Sequence, residues 1–294
     1  MNVRTNSHVQ ILTRDPHEET NLFYSIRAGS LALLAMLVVA APLNAQTQNL
    51  NVSIENNQTA GGFYLTPLFF GVHDGSFDFF DANVGSMSST SLQALAENGD
   101  VSGLNNDFDA AHDASNRSVV TGPAGFGSMA GQPPVLDPTE IGMTSITIND
   151  TSNNQFFSFA TMVIPTNDAF IGNDSGTAHQ IFDSAGNFTG PVTIQIFGSS
   201  IYDSGTEVND ENGGAAFSAN GGDRADEFLT VRSHPGLGNF VGTFTAAGTE
   251  ITSDIGQGEL LATITITQAV PEPGSLAILG IGSAMMVMRR RSRS

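Results

Sequence analysis

Several short segments of this chain alternate between apolar and polar residues, and this period-two pattern constrains the fold more than any other feature. Successive side chains of a β-strand point to opposite faces of a sheet, so each segment can bury one face and expose the other. The segments are rich in Val, Ile, Thr and Phe, and clusters of Gly, Asn, Asp and Pro separate them. The predicted strands are residues 51–54, 143–148, 156–164, 192–197 and 260–267. We therefore predict an all-β fold, an antiparallel β-sandwich.

One segment follows helical spacing instead. Leu92, Leu95 and Ala96 share a face of a predicted short helix that runs from Ser88 to Glu97. The hydroxyl residues at 88–91 are candidate N-caps. The sequence predicts one short helix beside the sheets.

The N-terminal segment is typical of a secretory signal peptide. Three Arg residues precede an apolar stretch at 31–41, and the small residue Ala45 ends the segment. A basic leader, an apolar core and a small residue at the cleavage site define such a peptide. We predict that residues 1–45 are the signal peptide, with cleavage after Ala45, and that the protein is exported.

The C-terminal segment combines the triplet Pro271, Glu272 and Pro273 with an apolar run at 274–288 and an Arg cluster at 289–293. An apolar run of about 15 residues is at the short limit for a bilayer span, and Arg residues beyond it stay cytoplasmic. The arrangement resembles the PEP-CTERM sorting signal of Gram-negative bacteria. The resemblance implies transient anchoring in the inner membrane and cleavage by an exosortase-type protease.

Between these ends, residues 46–269 are long enough for one domain with its own core, and residues 270–294 are the predicted sorting signal. Of the 29 acidic residues, three lie in the leader and one is Glu272, so 25 acids stand against three Arg and no Lys, a net charge of −22. Such a field repels nucleic acid and anionic membrane surfaces and attracts divalent cations. The absence of Cys excludes disulfides, thiol chemistry and thiolate metal sites.

Two acidic segments follow predicted strands. Asp168 lies just beyond the strand at 156–164, and the loop at 201–213 follows the strand at 192–197. Carboxylate and carbonyl oxygens on loops at the end of a sandwich are typical calcium ligands. The second loop is not an EF-hand, because Gly205 and Val208 stand where an acid and the invariant Gly belong. On these residues alone, a solvated acidic loop without metal is the alternative that the pattern favours.

Three motifs, in this order, resemble the spondin domain. They are residues 66–81 with the helical segment 92–99, the strand and turn at 158–172, and the Tyr-Asp-Ser-Gly-Thr-Glu run at 202–207. The animal members are extracellular-matrix proteins with a C2-like β-sandwich and a bound calcium ion. The resemblance implies a spondin-type domain over residues 46–269.

The resemblance also implies that Asp168, Asp203 and Glu207 coordinate calcium, with Asp210 or Glu211 as weaker candidates. The chain departs from the animal pattern, because Ala169 replaces the aromatic residue that follows the turn Asp there and no Cys is present. Adhesion to animal receptors is therefore not implied.

No sequence motif for catalysis stands out. A nucleophile elbow, a zinc-protease helix and a phosphate-binding loop are all missing from the sequence. His73, His112, His179 and His234 have no spacing suited to zinc on one element, so we predict surface or packing roles, with His73 buried against backbone. We expect that the protein is not an enzyme.

The sequence as a whole predicts a secreted, non-catalytic protein of the cell surface or extracellular matrix, with calcium-supported adhesion or a structural role. Extracellular polysaccharide or a surface protein is the expected partner. Two alternatives stay open: a carbohydrate-active hydrolase that uses Asp168 and Glu207 across a cleft, and a passive surface-layer protein.

Overall fold

The computed structural model describes residues 46–123, 126, 134–211, 214–221 and 224–269. The predicted signal peptide, with Ala45 at its cleavage site, lies outside these residues. So does the predicted sorting signal from residue 270 onward, with Pro271, Glu272 and Pro273. Within the described residues, the chain folds into two antiparallel sheets that pack face to face, with two short helices on the outside. The predicted β-sandwich is confirmed.

The first sheet has four strands in the order β5-β1-β11-β8. Their bounds are β1 Gln48–Asn56, β5 Ile141–Ile148, β8 Val192–Phe197 and β11 Leu260–Gln268. In β11 the buried Ala262, Ile264 and Ile266 face the core while Thr263 and Thr265 are half-buried, which is the alternation that the sequence pattern predicts.

The second sheet has the order β10-β9-β7-β6-β3-β4, and β2 also pairs with β6. Its strands are β2 Tyr64–Leu65, β3 Leu68–His73, β4 Arg117–Val120, β6 Phe156–Ile164, β7 Ala169–Gly172, β9 Ile201–Asp203 and β10 Arg232–Ser233. The central strands β3 and β6 are covered on both faces, so they are buried along nearly their whole length rather than alternating.

Two apolar clusters follow from this layering. Phe70, Phe157 and Ile264 belong to the cluster between the sheets, whereas Phe69 belongs to a second cluster on the outer face of the second sheet. Neighbouring residues of β3 thus serve different clusters, because successive side chains of a strand point to opposite faces.

The helices α1, Thr90–Asn98, and α2, Ser102–Ala111, cover that outer face. The predicted helix corresponds to α1: Ser89 is its N-cap and accepts a hydrogen bond from the Leu92 N–H, and Gly99 ends it at a φ of 65°. The prediction of a single helix is incomplete, because α2 follows at once. Its Phe108 ring packs where a Cβ on Gly71 would stand, only 2.3 Å from the nearest ring carbon, so the close approach of α2 to β3 requires Gly at this position.

Candidate functional site

The three predicted calcium ligands lie at one end of the second sheet. Ala169, the first residue of β7, pairs with Asp203, the last residue of β9, so the turn that carries Asp168 lies beside the loop that carries Glu207. Asp168 and Asp203 are fully buried and Glu207 is 2% exposed. We call these three residues the buried acidic cluster.

Asp168 is held by the backbone of the neighbouring loop. Its Oδ2 accepts hydrogen bonds from the N–H groups of Thr206, at 2.8 Å, and Glu207, at 3.1 Å, and a longer one from the Thr206 hydroxyl. These bonds favour the ionised form, but burial and the nearby Asp203 carboxylate prevail and raise the pKa of Asp168 to about 7. The site therefore contains a carboxyl group that titrates near neutral pH.

Asp203 has the strongest set of partners in the cluster. Its Oδ1 accepts from the Gly205 N–H at 2.7 Å, and its Oδ2 accepts from the side chains of Asn209, at 2.6 Å, and Arg232, at 2.9 Å. Arg232 also pairs with Glu227 at 2.9 Å. A guanidinium group thus supplies the counter-charge of this buried carboxylate.

Glu207 pairs with a second arginine. Arg224 Nη1 lies 2.9 Å from Glu207 Oε1 and 3.5 Å from Glu97 Oε2, and its Nη2 donates to Asn98 Oδ1 at 2.8 Å. Burial raises the pKa of Glu207, and the Arg224 ion pair opposes that rise. Arg224 therefore ties the acidic loop to the C-terminal turn of α1.

Two carboxylate oxygens of the cluster have no donor at hydrogen-bond geometry among the described residues: Asp168 Oδ1 and Glu207 Oε2. The Asn167 side chain lies near the Glu207 carboxylate and opposes the rise in its pKa. Buried acceptors of this kind are rare, because an unpaired buried polar atom costs free energy. In the part of the chain that the structure describes, no group of three or more His, Asp or Glu side chains is arranged to hold a metal ion. The cluster therefore offers two open carboxylate oxygens rather than a complete three-carboxylate site.

The two weaker candidates lie farther out. Asp210 is exposed and its backbone N–H donates to Asn167 Oδ1 at 3.1 Å, while Glu211 is half-buried. Neither shares the full burial of Asp168 and Asp203.

His73 Nε2 lies 2.9 Å from Ser158 Oγ, which is the distance expected between a catalytic base and its nucleophile. However, His73 Nδ1 accepts hydrogen bonds from the N–H groups of Gly75 and Phe77, so the ring proton is on Nε2, which donates to Ser158 Oγ. Burial, with a smaller effect from His112, lowers the pKa of His73 to about 4. This tautomer cannot take a proton from the serine, and the predicted backbone bonding of His73 is confirmed.

A surface cleft of about 300 Å³ lies between the 76–79 segment and α2. Its lining contains Phe79, Asp78, Asp107 and His112. The hydrolase alternative placed Asp168 and Glu207 on such a groove, but both are buried elsewhere, in the acidic cluster.

The sequence did not reveal Arg224 and Arg232 as parts of the site. They lie 17 and 29 residues along the chain from their partners Glu207 and Asp203. The signal that could have identified them is the scarcity of cations, since residues 46–269 contain only three Arg beside 25 acids. Each Arg in such a region is a candidate counter-charge for a buried carboxylate.

No helix among the described residues has the length and apolar character needed to cross a bilayer, and the apolar run at 274–288 lies outside them. The chain matches the PEP-CTERM protein-sorting motif at residues 269–292. This motif marks secreted or surface proteins that an exosortase processes. No curated protein matches the chain, so the spondin resemblance remains a prediction from its motifs.

Proposed function

We propose that this protein is a non-catalytic component of the cell surface or extracellular matrix, in which a β-sandwich supports adhesion or matrix structure. The sorting motif at residues 269–292 carries the proposal, because it marks a protein that is exported and released from a membrane-anchored precursor. The spondin-like motifs and the net charge of −22 over residues 46–269 support an extracellular role with a divalent cation.

The export step is tested by changing Arg289, Arg290, Arg291 and Arg293 to Ser. Without the basic cluster that stays on the cytoplasmic side, the precursor is expected to escape processing and accumulate as a longer, membrane-retained form. Immunoblots of membrane, surface and medium fractions measure the size and distribution. A variant that reaches the surface at mature size, like the wild type, would show that the tail is not read as a sorting signal.

We also propose that calcium supports the loop end of the sandwich. The open oxygens Asp168 Oδ1 and Glu207 Oε2 are the ligands that the cluster offers, and a hard cation would neutralise two buried carboxylates there. Asp203 fits this role less well, because its oxygens are already engaged by Gly205, Asn209 and Arg232. It would join only by exchanging the guanidinium for the metal.

Thermal unfolding of the processed protein in calcium, magnesium and EDTA tests this role. A ligand that binds the native state alone raises its stability by about 2.7 kcal/mol at one hundred times its Kd, which is roughly 5–10 °C for a domain of this size. We expect a rise that is specific to calcium and absent from the double variant Asp168→Asn/Glu207→Gln. Asp183→Asn, which changes a half-buried carboxylate outside the cluster, is the matched control. Identical melting temperatures in calcium and EDTA would exclude the calcium role.

The carbohydrate-active alternative draws its best support from the cleft beside α2. Asp78 and Asp107 line it together with Phe79 and His112, so carboxylates and aromatic rings share one open groove. Polysaccharide binding there would suit a matrix protein without requiring catalysis.

A further inference from the structure

Large exposed apolar side chains concentrate at the same end of the molecule as the buried acidic cluster. Among the described residues, five of the nine such side chains lie on three loops there, and we call them the apolar loop surface. They are Val84 (71% exposed), Met87 (57%), Val208 (40%), Phe228 (80%) and Leu229 (45%). Single exposed apolar residues are ordinary, but a concentration of this kind marks interaction sites.

Backbone hydrogen bonds hold the three loops against one another. Asn83 N–H donates to the carbonyl of Val231, and Val231 N–H donates to the carbonyl of Ser86. Leu229 N–H donates to the carbonyl of Gly205, which joins the third loop. Each of these three bonds measures 2.9 Å. The surface is thus preformed, and a partner that binds it has little loop ordering to overcome.

The acidic cluster adjoins one of the three loops of this surface. The loop that supplies Gly205 also supplies the Thr206 and Glu207 N–H groups that hold Asp168. The surface therefore combines apolar tips with the acidic field of the whole domain, whose net charge over residues 46–269 is −22. A partner must match both properties.

The charge of the domain decides which partner fits. Each of the three Arg residues in the described chain is in an ion pair with a carboxylate: Arg117 with Asp109, Arg224 with Glu97 and Glu207, and Arg232 with Asp203 and Glu227. A second copy or an anionic membrane would meet like charge and be repelled. A segment with an apolar face flanked by Lys or Arg is complementary in both respects.

The surface also faces away from the point where the chain leaves the sandwich. Gln268, the last residue of β11, pairs with Leu50 near the start of β1. At the other end of β1, the side chain of Asn56 donates to the carbonyl of Phe63, which lies beside the β2–β6 pair. Tyr64 pairs with Ile164, whose following turn carries Asp168. A precursor that is anchored through its C-terminal tail would present the apolar loop surface on the side remote from the attachment point.

We propose that the apolar loop surface is a docking site for a basic amphipathic segment of another protein. This rests on the proposed extracellular role for its biological meaning, but the binding itself can be measured independently. Apolar side chains of the partner pack on Phe228, Met87 and Val84, and its cations meet the acidic field around them. The complex is expected to weaken with salt.

The absence of Trp from the chain makes the test direct. The probe is a synthetic amphipathic peptide of Leu and Lys that carries one Trp, and its fluorescence reports binding to the processed protein without background. We expect Phe228→Ser and Met87→Ser each to weaken binding by roughly tenfold or more, because an apolar contact is lost. Both side chains are exposed, so the melting temperature should stay unchanged, and this is measured alongside.

Met143→Ser is the matched control, because Met143 is 69% exposed but lies on β5, outside the three loops. It should bind like the wild type, and a peptide with Ser in place of Leu should bind poorly to all variants. Equal binding by the Met87 and Met143 variants, or full binding of the Leu-free peptide, would overturn the proposal and leave only non-specific charge attraction. The proposal would also be overturned if sedimentation showed a dimer that Phe228→Ser dissociates. Flotation of the protein with neutral phosphatidylcholine vesicles in preference to peptide binding would overturn it as well.

The same titration in calcium and in EDTA separates this inference from the proposed calcium role. Selective loss in the Phe228 and Met87 variants supports the docking site in either condition. A melting temperature that ignores calcium would remove the calcium role alone.

Discussion

Arg232→Met is expected to lower the free energy of unfolding by about 3 kcal/mol near pH 7, which corresponds to a fall in melting temperature of roughly 6–12 °C. Removing the cation leaves Asp203 fully buried without its counter-charge, next to Asp168 and with two hydrogen bonds from neutral donors. The cost is that of an uncompensated buried carboxylate rather than of a lost surface contact. Urea and thermal denaturation of the processed protein, in EDTA, measure it.

Two variants make this prediction specific. Arg117→Met breaks the ion pair between Arg117, which is 23% exposed, and Asp109, which is 32% exposed. It should cost much less than Arg232→Met, because solvent-exposed ion pairs contribute little to stability. Arg232→Met/Asp203→Asn removes both charges and should recover most of the stability that the single variant loses. If Arg232→Met loses no more than Arg117→Met, the guanidinium is not the counter-charge on which this loop depends.

The bounds of two strands could be predicted closely, because the sequence of each strand follows one simple hydrophobic pattern. The predicted segments 156–164 and 192–197 agree residue for residue with β6 and β8. In β8 the pattern is alternation. In β6 it is a mostly apolar run, interrupted by Ser158 and Thr161, which a strand covered on both faces allows.

Helix α2 escaped prediction for a physical reason. Its sequence, Ser-Gly-Leu-Asn-Asn-Asp-Phe-Asp-Ala-Ala, contains residues of low helix propensity at half of its positions. Leu104 and Phe108 are both fully buried, so packing against the sheet stabilises a helix that its local sequence disfavours. Local propensity cannot report a contact with Gly71, which is distant in the chain.

The site was predictable in its acids and not in its cations. The spondin-like motifs singled out Asp168, Asp203 and Glu207, and the structure brings these three to one sheet end. The loop at 224–232 leads to β10, which pairs with β9, and this pairing brings Arg232 to Asp203. No periodic pattern in the sequence predicts the path of that loop, so the sequence does not show which acids an arginine neutralises. The open oxygens of Asp168 and Glu207 likewise cannot be identified from the sequence, because that requires the positions of all neighbouring hydrogen-bond donors.

Asp168→Asn is expected to make the protein more stable than the wild type at alkaline pH, by up to about 4 kcal/mol above pH 7, and equally stable below pH 4. The pKa of Asp168 rises from 3.8 in the unfolded chain to about 7 in the folded one, because burial and Asp203 disfavour the charged form. Between these values the folded state holds a proton that the unfolded state has released. The stability of the wild type therefore falls as pH rises from about 4 to about 7, whereas Asn, which is never charged, escapes this loss.

Only the difference between the two proteins isolates this effect. Burial lowers the pKa values of His73, His179 and His234. The unfolded chain therefore binds protons at these rings that the folded protein does not bind, and their contribution to stability rises with pH over part of the same range. These histidines are common to both proteins and largely cancel in the difference, whereas the repulsion between Asp168 and Asp203 is part of what the difference measures. Unfolding free energies from urea titrations between pH 4 and 9, in EDTA, give the difference curve.

Asp183→Asn provides the opposite case. Hydrogen bonds from the side chain and the backbone of Asn187 lower the pKa of the Asp183 carboxyl group, so its difference curve should be small and of opposite sign. Parallel curves for wild type and Asp168→Asn across the whole range would mean that Asp168 titrates normally and that its environment is open to water. A step that is present in EDTA and disappears in calcium would instead show that the charged form of Asp168 is the one that the cation stabilises, since a bound metal favours the ionised carboxylate that burial alone disfavours.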